Sequence, residues 1–212
     1  MVRVLSINPL FPDPRAIERA VRVIQRGGLI VYPTDTVYGL GANALDPEAV
    51  RLVFAAKNRP PEQALPVAVR GTRMADELAV ITRDVQRLIE AFWPGALTII
   101  LEKRTIVPDA TTGGRRGVAI RMPDHQIPLQ IMEKSGLPLI ATSANIHGQP
   151  NSLTSEEAIS QVGEKVDLVL DGGNASAQPS TVLDMTIRPP RVLRLGSITK
   201  EEISLVLGFD VS

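Results

Sequence analysis

Short aliphatic runs alternate with helix-start signals along the whole 212-residue chain, and this alternation restricts the fold more than any other feature. Asp13-Pro14 and Asp46-Pro47 each place a capping carboxylate before a proline, which is the usual pattern of a helix N-terminus. Aliphatic runs such as residues 97–101 are as short as buried strands commonly are. Repeated switching between helix and strand signals predicts an α/β protein.

The spacing of the last two predicted strands indicates that the sheet is mixed. These strands, at 181–185 and 191–195, lie too close together for a helical crossover, which needs about a dozen residues. The segment 172–179 is the loosest part of the chain, yet it is too short to separate two domains. We therefore expect one α/β (α+β) domain over residues 1–212, with helices flanking a mixed sheet and an appended helix from about residue 197.

Composition restricts the function classes. The chain has 23 basic and 23 acidic residues, so net charge supplies no field that would recruit nucleic acid or an anionic membrane. The absence of cysteine excludes disulfides and thiolate metal sites, and we expect a cytoplasmic protein. No apolar run approaches the roughly 20 residues that span a bilayer, so no membrane partner is expected.

One loop holds the densest group of candidate ligand residues. Residues 33–41 read PTDTVYGLG and follow a predicted strand with hydroxyls, one carboxylate and two glycines. Loops of this kind at strand ends are where α/β proteins bind small charged ligands. Within it, Tyr38 either stacks on a base or lies in the interior, and the sequence does not decide between the two.

Two cations follow the second predicted helix. Lys57 offers a point charge and Arg59 a planar fork, and both suit phosphate oxygens. Cations also end helices simply because they interact favourably with the helix dipole. For the pair taken alone, that second interpretation is the stronger one.

Ser143 and Asn145 follow a short predicted strand at 139–142. Hydroxyl, amide and backbone N–H groups in such a loop bind phosphate oxygens, but the same residues also form local turn hydrogen bonds. Both interpretations stand at this point.

Three further polar residues lie at strand boundaries. Arg121 and Arg194 end apolar strands, where a cation needs either an acidic partner or an anionic ligand. Ser180 precedes another strand, so its hydroxyl either faces a ligand or closes a turn.

The common catalytic motifs are absent from the sequence. It has no Walker A loop, no nucleophile elbow, no zinc-protease motif and only two histidines. Phosphoryl and nucleotidyl transfer suit such an inventory, because they depend mainly on positioning and on neutralising phosphate charge.

Taken in order, the motifs resemble those of the YrdC family of L-threonylcarbamoyladenylate synthases. The matching segments are 33–40 (PTDTVYGL), 57–60 (KNRP), 118–123 (VAIRMP), 142–145 (TSAN), 171–173 (DGG), 179–182 (PSTV) and 193–196 (LRLG). No single segment is specific, but the ordered set spans nearly the whole chain. The resemblance implies a YrdC-like twisted mixed sheet with a large, concave, positively charged cavity.

The resemblance also implies a reaction. A nucleotidyltransferase of this family converts L-threonine, bicarbonate and ATP into threonylcarbamoyl-AMP and pyrophosphate. A tRNA threonylcarbamoyl-transferase complex then uses the product to form N6-threonylcarbamoyladenosine at tRNA position 37. ATP binds as a substrate with Mg²⁺, and no metal site on the protein is expected.

Roles for individual residues follow from the same resemblance. The catalytic pair Lys57 and Arg59 holds the ATP phosphates, and the nucleotide site is completed by Ser143, Asn145, Asn151 and Arg194. The residues that bind L-threonine are Thr34, Thr36, Arg121 and Ser180.

One departure from the family pattern concerns the strand after the Lys-x-Arg motif. Many relatives carry a histidine there, whereas this chain has Ala68. One contact with threonine is therefore missing.

Two alternative functions remain open from the sequence. A double-stranded RNA- or tRNA-binding module would use the basic concavity of the fold, and weak RNA binding would be compatible with catalysis, although neutral net charge and only 3% aromatic residues argue against RNA as the main ligand. A diverged paralogue would use another carbamoyl or acyl-adenylate substrate on the same fold.

Overall fold

The computed structural model describes residues 2–175 and 178–212, so Met1 and residues 176 and 177 of the loose segment lie outside the described residues. The strands are β1 (Arg3–Ser6), β2 (Ile30–Tyr32), β3 (Gly39–Gly41), β4 (Val67–Ala68), β5 (Leu97–Glu102), β6 (Gly117–Arg121), β7 (Leu139–Ile140), β8 (Thr142–Ser143), β9 (Leu168–Asp171), β10 (Thr181–Asp184) and β11 (Arg191–Arg194). The helices are α1 (Pro14–Gln25), α2 (Pro47–Lys57), α3 (Thr72–Leu78), α4 (Arg83–Phe92), α5 (Asp109–Thr112), α6 (Gln126–Ser135), α7 (Ser155–Val162) and α8 (Lys200–Leu207), with a 3₁₀ turn at Gly163–Lys165.

The strands of the described residues form two mixed sheets. The first has the order β1-β9-β2-β3-β8, in which β9 is parallel to both of its neighbours and β3 is antiparallel to both of its own. The second has the order β11-β10-β5-β6-β4-β7, with β10 parallel to β5 and β6 parallel to β4. The predicted α/β class is confirmed, and the last two strands pair antiparallel as their short connection requires.

The two sheets meet where one predicted strand divides into two. The run at 139–142, expected to be a single strand, forms β7 in the six-stranded sheet and β8 in the five-stranded one. Ala141 lies between them and donates its N–H to the Pro66 carbonyl at 2.8 Å, while the Ile140 N–H bonds to the Ala42 carbonyl at 2.9 Å. The sequence predicted one short strand here, because the pattern along the chain does not indicate which strand each residue pairs with, whereas the structure has two strands in two mixed sheets.

The predicted capping signals form the helices that the sequence indicated. Asp13 caps α1 through the Arg15 N–H at 2.9 Å, and Asp46 caps α2 through the Glu48 N–H at 2.9 Å. Helix α8 begins with a complete capping box between Thr199 and Glu202. Two helices were not predicted, namely α3 and the short α5. Within the ranges that the structure describes, no helix is both long and apolar enough to cross a membrane.

Alternation along the six-stranded sheet gives it two different faces. On β5, Leu97, Ile99 and Leu101 are almost fully buried in the core, whereas Thr98 and Ile100 point to the opposite side. That second face forms the floor of a cavity, which the next subsection describes. Among the described residues that line the cavity on that second face, none belongs to a helix.

Two glycines in β3 allow an aromatic ring to lie against the strand. The ring of Tyr32, fully buried on β2, faces Gly39 and Gly41 across the antiparallel pair. A Cβ atom at Gly41 would lie 2.6 Å from Tyr32 Cε1, and one at Gly39 would lie 3.0 Å from Cζ. Both glycines are therefore required by the close approach of the ring and not by an unusual backbone conformation.

We expect Gly41→Ala to destabilise the protein by about 1–3 kcal/mol, since the added methyl overlaps a buried ring that cannot move freely. Urea denaturation would measure the change. Gly71→Ala is the matched control, because a Cβ there meets nothing within 4 Å. If the two variants were equally stable, the proposed packing of Tyr32 on β3 would be wrong.

Candidate functional site

A cavity of about 580 Å³ opens above this second face of the six-stranded sheet. Its size lies within the range of about 300–1,000 Å³ that is usual for small-molecule sites. The floor consists mainly of small or aliphatic side chains, namely Ala68, Ile100, Ala119, Ala141 and Val182. Thr98 adds one hydroxyl to it. The walls come from the loop after β2, the segment after α2, and the strand ends of β6, β8, β10 and β11.

Eight of the ten predicted site residues line this cavity, and they are Thr34, Thr36, Arg59, Arg121, Ser143, Asn151, Ser180 and Arg194. They come from seven separate parts of the chain, and only the fold brings them together. Lys57 and Asn145 do not line it. Ala68, at the position where the family pattern has histidine, contributes a methyl group to the floor.

The cavity has a strong positive charge. Four arginines line it, at positions 59, 115, 121 and 194, and none of the lining residues in the described ranges is acidic. Burial lowers the pKa of Arg59, Arg121 and Arg194, and the nearby charge of Arg121 lowers that of Arg194 further. All three remain cations at neutral pH because an arginine titrates far above it. Such a site attracts anions.

Arg121 is held by three protein groups. Its Nε donates to the Gly95 carbonyl at 2.8 Å and its Nη1 to the Thr36 hydroxyl at 3.1 Å. Its Nη2 forms an ion pair with Asp35, and the two side chains are only 11% and 18% exposed. Asp35, for which the sequence indicated no role, thus orients the guanidinium. Arg121 has five N–H donors, so two remain for a ligand.

Thr34 shapes the loop between β2 and β3. Its hydroxyl donates to the Val37 carbonyl at 2.6 Å and accepts from the Thr36 and Val37 N–H groups at 3.1 and 3.2 Å. The hydroxyl proton is therefore committed to the loop itself. Thr34 lines the cavity, and its hydrogen bonds are those of a residue that closes a turn.

Lys57 lies behind the cavity wall. Its ammonium, in a residue only 1% exposed, donates to the Ser143 carbonyl at 2.5 Å, the Asn145 carbonyl at 2.7 Å and Asn145 Oδ1 at 3.0 Å. These three acceptors match the three N–H groups of a lysine. Lys57 therefore fixes the end of β8, where Ser143 lines the cavity, and the turn that follows it.

Asn145 completes that turn. Its Oδ1 also accepts from the Ser143 hydroxyl at 2.6 Å, and its Nδ2 donates to the carbonyls of Ile146 at 3.1 Å and Gln149 at 2.6 Å. Both amide protons and both lone pairs of Oδ1 are thereby used. As arranged here, Lys57 and Asn145 act on a ligand only through Ser143.

Arg59 holds the segment that follows α2. Its Nη2 donates to the Ala64 carbonyl at 2.9 Å, and its Nε lies 3.4 Å from the Gln63 carbonyl. Asn58 before it adopts the left-handed conformation that ends the helix, with φ of 49°. The chain therefore turns sharply between Lys57 and Arg59. One cation points into the wall and the other lines the cavity.

One tyrosine and one histidine near the site have structural roles. Tyr38 is fully buried, its hydroxyl donates to the Gly173 carbonyl at 2.6 Å, and burial raises its pKa to about 12. Of the two interpretations that the sequence left open for Tyr38, the structure supports the interior one. His125 caps α6 by accepting from the Ile127 N–H at 3.3 Å, and burial lowers its pKa.

Sequence reasoning missed several residues of the cavity wall. The sequence predicted no role in the site for Gln63, Thr98, Arg115 or Thr142, all of which line the cavity. Thr98 had a detectable signal, since it is a polar residue at an alternate position of an otherwise aliphatic strand. Arg115 had none, because an exposed arginine beside another is common.

No group of three or more His, Asp or Glu side chains that could hold a metal ion occurs in residues 2–175 and 178–212.

Comparison with known proteins gives consistent matches. A family model named Sua5/yciO/yrdC and described as "Telomere recombination" matches residues 22–196. The threonylcarbamoyl-AMP synthase of Pyrococcus abyssi is 41% identical over 194 residues, and that of Bacillus subtilis is 38% identical over 202. These alignments cover 91% and 92% of this chain but only 57% of either relative. A putative threonylcarbamoyl-AMP synthase of Mycobacterium tuberculosis is 38% identical, with 93% of this chain and 92% of the relative covered.

Solved structures of similar proteins also match this chain over nearly its whole length. Pyrococcus abyssi Sua5 complexed with L-threonine has a TM-score of 0.94 at 38% identity, covering 98% of this chain and 62% of that one. Escherichia coli YciO has a TM-score of 0.88 at 28% identity, covering 96% of this chain and all of that one.

Lys57 generates a prediction about pH. Burial, and more weakly the charge of Arg59, lowers its pKa from 10.5 to about 7. Between these two values the unfolded chain binds more protons than the folded one, so the contribution of Lys57 to the free energy of unfolding rises with pH. We expect the stability difference between the wild type and Lys57→Met to increase by a few kcal/mol from pH 7 to pH 10 in urea denaturation.

The matched control is Lys134→Met, since Lys134 also ends a helix but is exposed. Its stability difference from the wild type should stay constant over the same range. A flat difference for Lys57→Met as well would contradict the lowered pKa of this ammonium.

Proposed function

The chain belongs to the Sua5/yciO/yrdC family, and from this premise we propose that it is a threonylcarbamoyl-AMP synthase that uses L-threonine, bicarbonate and ATP. The proposal is carried by one observation, which is that four arginines and several hydroxyls surround a floor of mostly small residues in the same cavity. Two kinds of anion, a carboxylate and a polyphosphate, fit that lining. The names of the relatives and the threonine-bound relative support the same reaction.

We assign the amino-acid side of the cavity to Arg121 and the loop that contains Thr34 and Thr36. A guanidinium oriented by Asp35 and Gly95 can present its remaining N–H groups to the carboxylate of threonine without first losing side-chain freedom. We assign Ser180, which also lines the cavity, to the same side. Thr34 acts mainly by holding the loop in shape.

We assign the nucleotide side to Arg59, Arg194, Ser143 and Asn151. Arginines bind phosphate oxygens in pairs of parallel hydrogen bonds. The Ser143 hydroxyl donates to Asn145 Oδ1, so a contact with a phosphate oxygen requires its proton to turn from Asn145 towards the ligand. Lys57 and Asn145 retain the role in ATP binding that the family pattern implies. In the arrangement described above they exert it by fixing the Ser143 turn, since a direct contact would require Lys57 to release one of its three acceptors.

The proposed chemistry has two steps. The amine of threonine attacks the carbon of bicarbonate, and loss of water leaves a carbamate. A carbamate oxygen then attacks the α-phosphorus of ATP, the bond from that phosphorus to the pyrophosphate oxygen breaks, and pyrophosphate leaves. Arg59 and Arg194 neutralise charge on the phosphates, and Mg²⁺ arrives with the triphosphate as part of the substrate. No step needs a histidine base.

The product is a mixed anhydride that a second protein would use. We propose that a tRNA threonylcarbamoyl-transferase complex takes it up for modification at tRNA position 37, in the cytoplasm. Free passage through solution would lose product to hydrolysis, because water also attacks an activated carbamoyl group.

Pyrophosphate release tests the proposed reaction itself. Purified protein with Mg-ATP should release pyrophosphate only when L-threonine and bicarbonate are both present. Glycine, L-valine and L-serine should support much slower release. Release that prefers another amino acid would indicate a diverged paralogue, and tight tRNA binding without any threonine-dependent release would indicate an RNA-binding module.

A further prediction concerns Arg115, an exposed arginine that lines the cavity. We expect Arg115→Ala to raise the KM for Mg-ATP by about three- to tenfold at low salt, and by less at high salt, because an exposed cation is screened. Arg116→Ala is the control, since Arg116 is equally exposed but does not line the cavity. Equal effects of the two substitutions would remove Arg115 from the nucleotide site.

A further inference from the structure

Two hydroxyls meet at the floor of the cavity. Thr98 Oγ1 on β5 and Ser180 Oγ at the start of β10 lie 2.8 Å apart, and the two residues are 5% and 6% exposed. The pairing of β5 with β10 explains this contact, because Thr181 is opposite Leu97 and Val182 opposite Thr98 in the parallel register. The side chains of Thr98 and Ser180 therefore lie on the cavity side of adjacent strands.

Arg194 binds the same serine from the other side. Its Nη2 donates to Ser180 Oγ at 3.1 Å and its Nε to the Ser180 carbonyl at 3.1 Å. A guanidinium has no acceptor, so the Ser180 oxygen accepts in this contact. One of the two lone pairs of Ser180 Oγ is thereby occupied.

The backbone that supports Ser180 is also fixed. The Thr181 hydroxyl donates to the Ile198 carbonyl at 2.6 Å and accepts from the Gly196 and Ile198 N–H groups at 2.8 and 3.2 Å. A Cβ at Gly196 would lie 2.3 Å from the Pro179 carbonyl oxygen, so only glycine permits this approach. Ser180 has little freedom to move relative to β5.

The count of protons in this cluster leads to the inference. Thr98 and Ser180 carry two hydroxyl protons, and the hydrogen bond between them uses one. Within the described part of the chain, the Thr98 hydroxyl is hydrogen-bonded to Ser180. One O–H is therefore left over, and the open side of the pair is the cavity, where Thr98 and Ser180 are both lining residues.

We infer that Thr98 is a positioning residue that makes Ser180 a fixed hydrogen-bond donor to an anionic oxygen of the substrate. When Thr98 donates to Ser180 and Arg194 does the same, both lone pairs of Ser180 Oγ are occupied. The Ser180 proton then points into the cavity, beside the charge of Arg194. Under the proposed function the ligand oxygen belongs to the carboxylate of threonine or to bicarbonate, since each presents an anionic oxygen that accepts a hydrogen bond.

The surroundings of Thr98 make a purely structural role insufficient. Its neighbours on the floor, Ile100, Ala119 and Val182, are apolar, and a valine at position 98 would fill the same volume without bringing a hydroxyl into an apolar surface. The inference rests on the proposed function for the identity of the ligands.

The test uses the full chain and direct binding. Titration calorimetry would measure the Kd of L-threonine and, separately, of bicarbonate for the wild type, Thr98→Val and Thr98→Ser. We expect Thr98→Val to weaken one of the two by about three- to tenfold, the worth of one neutral hydrogen bond, and Thr98→Ser to restore it. The ligand that is affected identifies the oxygen that Ser180 binds.

A double-mutant cycle separates positioning from stability. If Thr98 acts through Ser180, then Thr98→Val should change neither Kd when Ser180 is already alanine. Thr111→Val is the control for loss of a buried threonine hydroxyl, since Thr111 donates to the Ala44 carbonyl at 2.8 Å away from the cavity. It should reduce thermal stability and leave both Kd values unchanged.

The outcomes are distinguishable from those of the proposed function. Wild-type protein that binds L-threonine but releases no pyrophosphate would refute the synthase reaction and leave the Thr98 test intact. Equal Kd values for the wild type and Thr98→Val, or an undiminished effect of Thr98→Val in the Ser180→Ala background, would refute the inference. A wild type that binds neither ligand would refute both.

Discussion

The cavity depends on how the backbone of residues 138–143 is shared between two sheets. Leu139 and Ile140 pair with β4 on one side, while Pro138 and Ile140 bond to the segment that continues β3 on the other. Two residues later, Thr142 and Ser143 pair with β3 itself. Because backbone groups buried in the interior must be paired, this crossing fixes the angle at which the two sheets meet. The open face of the six-stranded sheet becomes a floor, and the ends of the other strands become a wall.

The polar groups around this cavity form two layers. The side chains that face the opening are arginines and hydroxyls, which can bind an anion. Behind them lie Lys57, Asn145 and Asp35, whose hydrogen bonds and charges hold the outer groups in place. A buried cation such as Lys57 is tolerable only because three oxygens surround it. Much of the charge in the motifs therefore prepares the site before any ligand arrives, so that less binding energy is lost in ordering side chains.

Prediction from the sequence succeeded where a local rule applied and failed where pairing decided. The helices α1 and α2 begin at the capping residues that the sequence indicated, because a cap is a contact within four residues. The division of the run 139–142 between two sheets was missed, since the pattern along the chain does not indicate which strand each residue pairs with. Of the polar cavity residues, most of those in recognisable motifs were found, although Thr142 was missed. Thr98 and Arg115 were missed as well. Neither belongs to a motif, and only the position of its strand or loop brings it to the cavity.

The sequence by itself determined the class of the fold, the starts of α1 and α2 and the order of the motifs that indicate the family. Those properties follow from local backbone preferences and from residue types that are read along the chain. The tertiary structure alone decided which of two cations separated by one residue reaches the cavity. Lys57 is the last residue of α2 and lies in the wall, and the left-handed turn at Asn58 then brings Arg59 into the lining. It also decided that Thr98 meets Ser180. The two residues are 82 positions apart, and only the parallel register of β5 and β10 places one hydroxyl beside the other.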